Sequence, residues 1–200
     1  MSTNTIRANA YKLISELFKY PEKDLVGWTP VLVETFTEIS PELGELASSI
    51  TQFLEGHNSI DDLQIEYAKL FVGPYELEAA PYSSVYLDPQ GLVMGPSTHQ
   101  AIEFYTQAGL DPNEENKQPP DHISTELEFM YYLLFNSVKN NDDTQLHLAD
   151  SFLNQHLSKW VSLFVEKIRE NSASSFYQDL GQLLQKFIST EIELNKEKAI

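Results

Sequence analysis

Pro120-Asp121-His122 with Glu126 is the part of this chain richest in groups able to do chemistry. His122 and Glu126 are four residues apart, so on a helix they share one face, where the carboxylate can hold the imidazole and raise its pKa. Asp121 follows Pro119-Pro120 in the manner of a helix N-cap, and the free N–H groups of such a helix end can hold a carbonyl or carboxylate of a bound peptide. Capping alone also accounts for Asp, His and Glu at a helix start. An acid/base enzyme built on His122 and Glu126, with or without a metal, is the catalytic alternative. Its metal form is short of ligands, because His-x-x-x-Glu supplies two, and His57, His99, His147 and His156 show no complementary spacing. The sequence contains no HExxH, no phosphate-binding GxxxxGKS/T or GxGxxG, and no GxSxG elbow. Ser83-Ser84 with a distant His122 is too common a pairing to mark a nucleophile. No catalytic residue, metal or cofactor is expected.

The second conspicuous stretch is Glu66 to Tyr86, EYAKLFVGPYELEAAPYSSVY. It starts as the end of an amphipathic helix, breaks at Gly73-Pro74, and continues through Pro81, Tyr82 and Tyr86 with almost no charge after Glu78. An ordinary connection in so acidic a chain carries solvated charges, whereas aromatics and prolines on a stiff backbone suit a surface that holds something. Leu70 and Phe71 read as core positions. The Pro81–Tyr86 run reads as a loop folding back on the helices to line a groove.

The elements that must position these segments are helical. Ile6, Ala10, Leu13, Ile14, Leu17 and Phe18 recur at three and four, giving a first helix from about Thr5 to Pro21. A less regular helical region covers Asp24 to Ile39, interrupted at Trp28 to Pro30. Ser40-Pro41-Glu42 starts a third helix with an N-cap, a first-turn Pro and an early acid, and Gly56 ends it. Ser59 with Asp62 resembles a capping pair for a fourth, which Gly73-Pro74 stops. Pro74, Pro81, Pro89, Gly91, Gly95 and Pro96 then exclude regular helix and predict a long ordered loop. Ser97 with Gln100 reads as a capping box for a short helix closed by Gly109. The next helix runs from Asp121 to about Val138. Helical periodicity continues from Thr144 to Asn171 with a split near His156 to Ser158, and a last helix follows the joint at Ser172 to Ser175. The expectation is an all-α, single bundle-like domain over residues 1–200, with about eight to ten helices and one long ordered loop.

Composition limits the partner. The formal net charge is -17, which repels nucleic acid phosphates and anionic membrane surfaces and favours a basic peptide. Glu66, Glu76, Glu78, Asp88 and Asp121 fall near the two segments. The chain has no cysteine, which removes disulfides and thiolate chemistry. The first residues carry one Arg and no unbroken apolar run, and no stretch approaches the ~20 apolar residues of a membrane span. A cytoplasmic protein without stable membrane insertion is expected.

Both segments resemble the motifs of the TorD/DmsD/NarJ-like chaperones of molybdoenzymes, most closely the TorD/DmsD branch. The first motif, Y-x-x-L-F, a Gly-Pro-type break and then P-Y-x-S-V-Y, is matched by Tyr67, Leu70, Phe71, Gly73, Pro74, Pro81, Tyr82, Ser84, Val85 and Tyr86. The second, P-D-H-x-x-x-E-L-x-F-M, is matched by Pro120, Asp121, His122, Glu126, Leu127, Phe129 and Met130. Weaker similarity lies in F-L-x-x-H-L-x-x-W at Phe152 to Trp160 and F-Y-x-x-L-x-x-L-L at Phe176 to Leu184. The resemblance implies an all-helical chaperone that binds the twin-arginine signal peptide of a molybdopterin oxidoreductase and delays its export until the cofactor is inserted. It implies no enzymatic activity and leaves open a homodimer and a role as a structural subunit of the oxidoreductase. The implied peptide-binding set is Tyr67, Leu70, Phe71, Pro74, Glu76, Pro81, Tyr82, Ser84, Tyr86, Asp121, His122 and Glu126. Where the family commonly has a glutamate inside the first motif, this chain has Ser83, so Glu76, Glu78 or Asp121 are the candidates for meeting arginine.

Overall fold

Local chemistry sets several helix ends. Ser40 Oγ accepts the Leu43 N–H at 3.2 Å, Pro41 takes the first turn, and the helix stops at Gly56. The computed structural model describes residues 2–56, 60–73, 77–111 and 118–198. Its α-helices are α1 (Thr3–Leu17), α2 (Thr29–Ile39), α3 (Pro41–Glu55), α4 (Ile60–Tyr67), α5 (Ser83–Leu87), α6 (Pro96–Gln107), α7 (Ile123–Asn140), α8 (Asp143–Phe152), α9 (Ser158–Asn171) and α10 (Ser175–Lys198). A 3-10 turn, Lys23–Trp28, stands where the helical region was expected to begin, and the expected interruption at Trp28 to Pro30 is instead the start of α2, with Pro30 in its first turn. Two π turns extend the helical path, Ala68–Val72 after α4 and Leu153–Leu157 between α8 and α9. The all-α expectation holds, and among the described residues no helix is long and apolar enough to cross a membrane.

Three local readings need correction. The breakers between residues 74 and 96 do not exclude helix altogether, because the five residues of α5 lie between Pro81 and Pro89, where no breaker stands. Ser97 does not cap α6: the Asp88 carboxylate takes both the Ser97 N–H, at 3.0 and 3.1 Å, and the Ser97 hydroxyl, at 2.9 Å. A tertiary acceptor has displaced the local capping box. The split near His156 is a π turn rather than a break, so α8 and α9 stay joined. Ser59, the expected cap of α4, lies outside the described residues.

One contiguous core runs through the described bundle, with Trp160, Tyr11, Tyr177, Phe18, Phe36 and Phe152 among its largest fully buried side chains. Helix α1 lies along α7 and α2, and α3 packs on α2 and α10. A buried fork closes the two ends of the chain: Arg7 Nε and Nη2 donate to Glu191 Oε1 and Oε2 at 2.7 and 2.8 Å. Ser15 of α1 donates to Ser124 O at 2.9 Å, which fixes α1 against the first turn of α7. That turn carries the second motif.

Candidate peptide-binding site

The two motif segments meet edge to edge. Tyr82 and His122 form an antiparallel bridge, in which Ser83 N–H donates to Asp121 O at 2.9 Å and Ile123 N–H to Pro81 O at 2.8 Å. Pro81 itself has no N–H to place, so its carbonyl is the group left to pair. The joint is backbone to backbone, and side chains then lock it. Asp121 Oδ2 accepts from Ser84 N–H at 3.2 Å, Ser84 Oγ at 2.5 Å and Thr98 Oγ1 at 3.0 Å. One buried carboxylate thus ties α5, α6 and the entry of α7 together, while its Oδ1 has no hydrogen-bond partner.

His122, not Asp121, caps α7. Its Nδ1 accepts the Ser124 N–H at 3.1 Å and faces Ser124 Oγ at 2.7 Å, so the neutral ring carries its proton on Nε2. Burial lowers its pKa from the usual 6.5 to about 4. The expected His122–Glu126 pair is therefore absent, and the shift runs opposite to the one such a pair would give. Glu126 turns to another partner: Oε1 receives His156 Nε2 at 2.8 Å and Oε2 receives Trp160 Nε1–H at 2.9 Å. Burial raises the Glu126 pKa, against the lowering effects of His156, Trp160 and the nearby Ser83 hydroxyl, which lies close without meeting hydrogen-bond geometry. Burial also works against charge on His156, but the attraction and hydrogen bond of Glu126, with a smaller contribution from Asp121, lift its pKa above the usual value. With Gln100 Oε1 at 3.2 Å from Nδ1, both ring nitrogens face acceptors, as an imidazolium requires. The ring also stacks on Phe152, with centroids 5.2 Å apart.

The other members of the implied set fall into two groups. Tyr67, Leu70 and Phe71 are buried, the last two carried inward by the first π turn, which ends at Gly73 with φ 50° and ψ 154°. Phe71 meets Phe18, Phe164 and Tyr177 at 5.3–6.3 Å between centroids. Ser84, Asp121, His122 and Glu126 are equally buried, and Pro81 is buried beside them. Tyr82 and Tyr86 remain half-buried, Tyr82 edge-on to His122 at 5.3 Å and Tyr86 stacked on Trp160 at 5.7 Å. Pro74 and Glu76 lie outside the described residues.

The acids near the motifs are already engaged. Glu66 accepts from Ser172 Oγ at 3.0 Å and Ala173 N–H at 2.8 Å. Glu78 faces Lys69 at 3.4 Å, and Asp88 holds Ser97. Asp121 sits beneath the joint with no exposed surface. Sequence reading missed His156, Trp160, Thr98 and Gln100 as members of this centre. A signal existed for two of them, since His156 and Trp160 stand four apart in the F-L-x-x-H-L-x-x-W run. A groove of about 580 Å³ between α9 and α10 shares no residue with either motif. A smaller cavity of about 220 Å³ adjoins the second motif and includes Pro120, Thr125, Glu128 and Phe129.

Known proteins agree with this architecture. The family model described as nitrate reductase delta subunit matches residues 37–166. The chain is 27% identical over 201 residues to the chaperone protein TorD of Vibrio cholerae serotype O1, strain O395, covering 94% of this chain and 91% of that one. It is 34% identical over 118 residues to a Haemophilus influenzae protein assigned as the Tat proofreading chaperone DmsD, covering 59% of this chain and 54% of the relative. A crystal structure from Archaeoglobus fulgidus, assigned as a redox enzyme maturation protein, superposes with a TM-score of 0.62 at 27% identity, covering 92% of this chain and 93% of its own. The relatives are named as chaperones, and the geometry separates His122 from Glu126, so the acid/base enzyme alternative is set aside. With its model matched over more than half the length, the chain belongs to the nitrate reductase delta subunit family, that of the TorD/NarJ-type chaperones.

Proposed function

We propose that this chain is a cytoplasmic chaperone that binds the twin-arginine signal peptide of a molybdopterin oxidoreductase of the DMSO/TMAO reductase type and delays export until cofactor insertion and assembly are complete. Family membership supports the chaperone class. The observation that carries the peptide reading is the bridged joint of the two motifs, which leaves Tyr82 and Tyr86 half-exposed on one short segment of an acidic chain. A twin-arginine peptide brings basic residues and an apolar stretch, the complement of aromatic surface in a protein of net charge -17. The buried motif residues then act from below, as supports of that surface.

Titration calorimetry with the client's signal peptide tests this. Binding is expected at low salt, weakening as salt rises. Tyr82→Ala is expected to weaken it about tenfold, as loss of an aromatic anchor does, with the helical circular dichroism unchanged. Absence of any binding heat or competition by twin-arginine peptides from the same genome overturns the proposal.

The family description itself favours a second reading, in which the chain stays as a structural subunit of the finished oxidoreductase. Affinity capture from cells separates the two. The chaperone retains the precursor with its signal peptide, whereas a subunit retains the mature enzyme.

A further inference from the structure

The second motif has an outer side that the buried centre does not use. Glu126 points inward, but Thr125, Glu128, Phe129 and Tyr132 follow the i, i+3, i+4, i+7 spacing of a single helix face, and all four line the cavity of about 220 Å³ beside Pro120. Its walls are the rings of Tyr105, Phe129 and Tyr132, with Pro120 closing one side, and among the described residues its lining carries the carboxylates of Asp111 and Glu128 and no lysine or arginine. The walls are fixed. Tyr105 donates to Pro120 O at 2.6 Å, and its ring lies edge-on to Phe129 with centroids 4.6 Å apart.

We infer that this cavity is the seat of one arginine side chain of a bound basic peptide. A space of 220 Å³ is below the ~300–1,000 Å³ of pockets that take whole small molecules, and suits a single side chain. Among side chains, arginine matches both halves of the lining: its apolar stem and flat guanidinium stack on aromatic rings, and its paired N–H groups meet a carboxylate side-on. Glu128 is available for that exchange. It is held by Lys12 at 2.6 Å and more loosely by Lys19 at 3.9 Å, and both lysines also hold Glu16, at 2.8 and 2.7 Å. An incoming guanidinium can take Glu128 while each lysine keeps a carboxylate. The cavity includes Pro120 of the second motif, which stands two residues before the His122 that bridges to Tyr82, and this ties the arginine seat to the motif joint. The source of the arginine rests on the signal-peptide reading above; the chemistry of the cavity does not.

N-acetyl-arginine amide is the probe, followed by NMR of the aromatic side chains in the full chain. Saturable shifts are expected at Tyr132, Phe129 and Tyr105, weakened by salt, with the lysine analogue producing much smaller ones. Glu128→Gln and, separately, Tyr132→Ala are expected to weaken the arginine probe about fivefold to tenfold; the first conserves shape and guards against a mere folding defect. No saturable shift at these rings, or equal response to lysine, overturns the cavity assignment whatever the peptide does. If the signal peptide binds both variants as tightly as the unsubstituted chain, the cavity assignment falls and the chaperone reading stands. If the arginine probe binds but no twin-arginine peptide does, the cavity stands and the chaperone reading falls.

Discussion

His122 and His156 are both buried within the first turns' reach of α7, and the fold gives them opposite charge states. His122 sits against a backbone N–H, which wants an acceptor, so burial goes unopposed and the ring stays neutral. His156 sits between two acceptors, and the Glu126 carboxylate outweighs the burial that would keep it neutral. Depth does not decide the charge of a buried histidine; the group that shares its ring nitrogens does. The contrast also divides the labour within the second motif. His122 ends a helix, and Glu126 joins that helix to the second π turn.

The strongest way to break the contrast is to remove Glu126. Glu126→Ala strands the His156 imidazole and the Trp160 N–H without their acceptor in the core, and stripping one partner from a buried ion pair costs about 3–5 kcal/mol. Urea denaturation followed by circular dichroism reads the loss. In whatever remains folded, the His156 pKa is expected to fall, because burial, the largest influence on it, is then opposed only by the smaller attraction of Asp121 and the long contact with Gln100. A loss under about 1 kcal/mol would mean that the pair is not the anchor described here.

His122→Asn attacks the other side. Asn is as good an N-cap as the native ring and does not titrate. His122 has a folded pKa of about 4 against an ordinary 6.5, so the folded state binds fewer protons than the unfolded one between these values. Its contribution is whole above pH 6.5 and is lost as pH falls through about 4, a cost of about 3 kcal/mol at the acid end. The Asn variant is expected to keep neutral-pH stability within about 1 kcal/mol and to lose much of this acid sensitivity. Identical acid limbs for the two proteins would assign the acid sensitivity elsewhere.

These outcomes bear on how much could be read from the chain. Helix existence was legible wherever a local signal acts alone: Ser40-Pro41 starts α3, and the three-and-four spacing from Ile6 to Phe18 marks α1. The two motifs were legible as separate segments, and the bridge between Tyr82 and His122 is what joins them in the fold. What could not be read was direction. Asp121 and Ser97 both look like caps, yet each gives up or loses that role to a partner made near only by folding, Ser84 and Thr98 in one case and Asp88 in the other. Glu126 finds His156 across 30 residues, and nothing in the His-x-x-x-Glu spacing says that the glutamate faces the other way. The π turns add a residue to a helical turn without any breaker, so periodicity shows only a blurred register at His156.

The smallest effect sharpens the contrast most, because it touches His156 without touching the ion pair. Gln100 is exposed and its contact with His156 Nδ1 is long, 3.2 Å, so Gln100→Ala is expected to cost under about 1 kcal/mol at neutral pH. Its signature is in the pH dependence. His156 has a folded pKa above 6.5 and Glu126 one above 4.5, so in both cases the folded state holds protons that the unfolded state has released. Their joint contribution is whole below the unfolded values and is lost as pH rises through the folded ones, the reverse of His122. Removing the acceptor at Nδ1 disfavours the imidazolium and moves that alkaline loss to lower pH, while the acid limb set by His122 stays where it was. NMR titration of the His156 ring gives the shift directly. A movement of the acid limb instead, or an unmoved His156, would show that Gln100 has no part in holding the second proton.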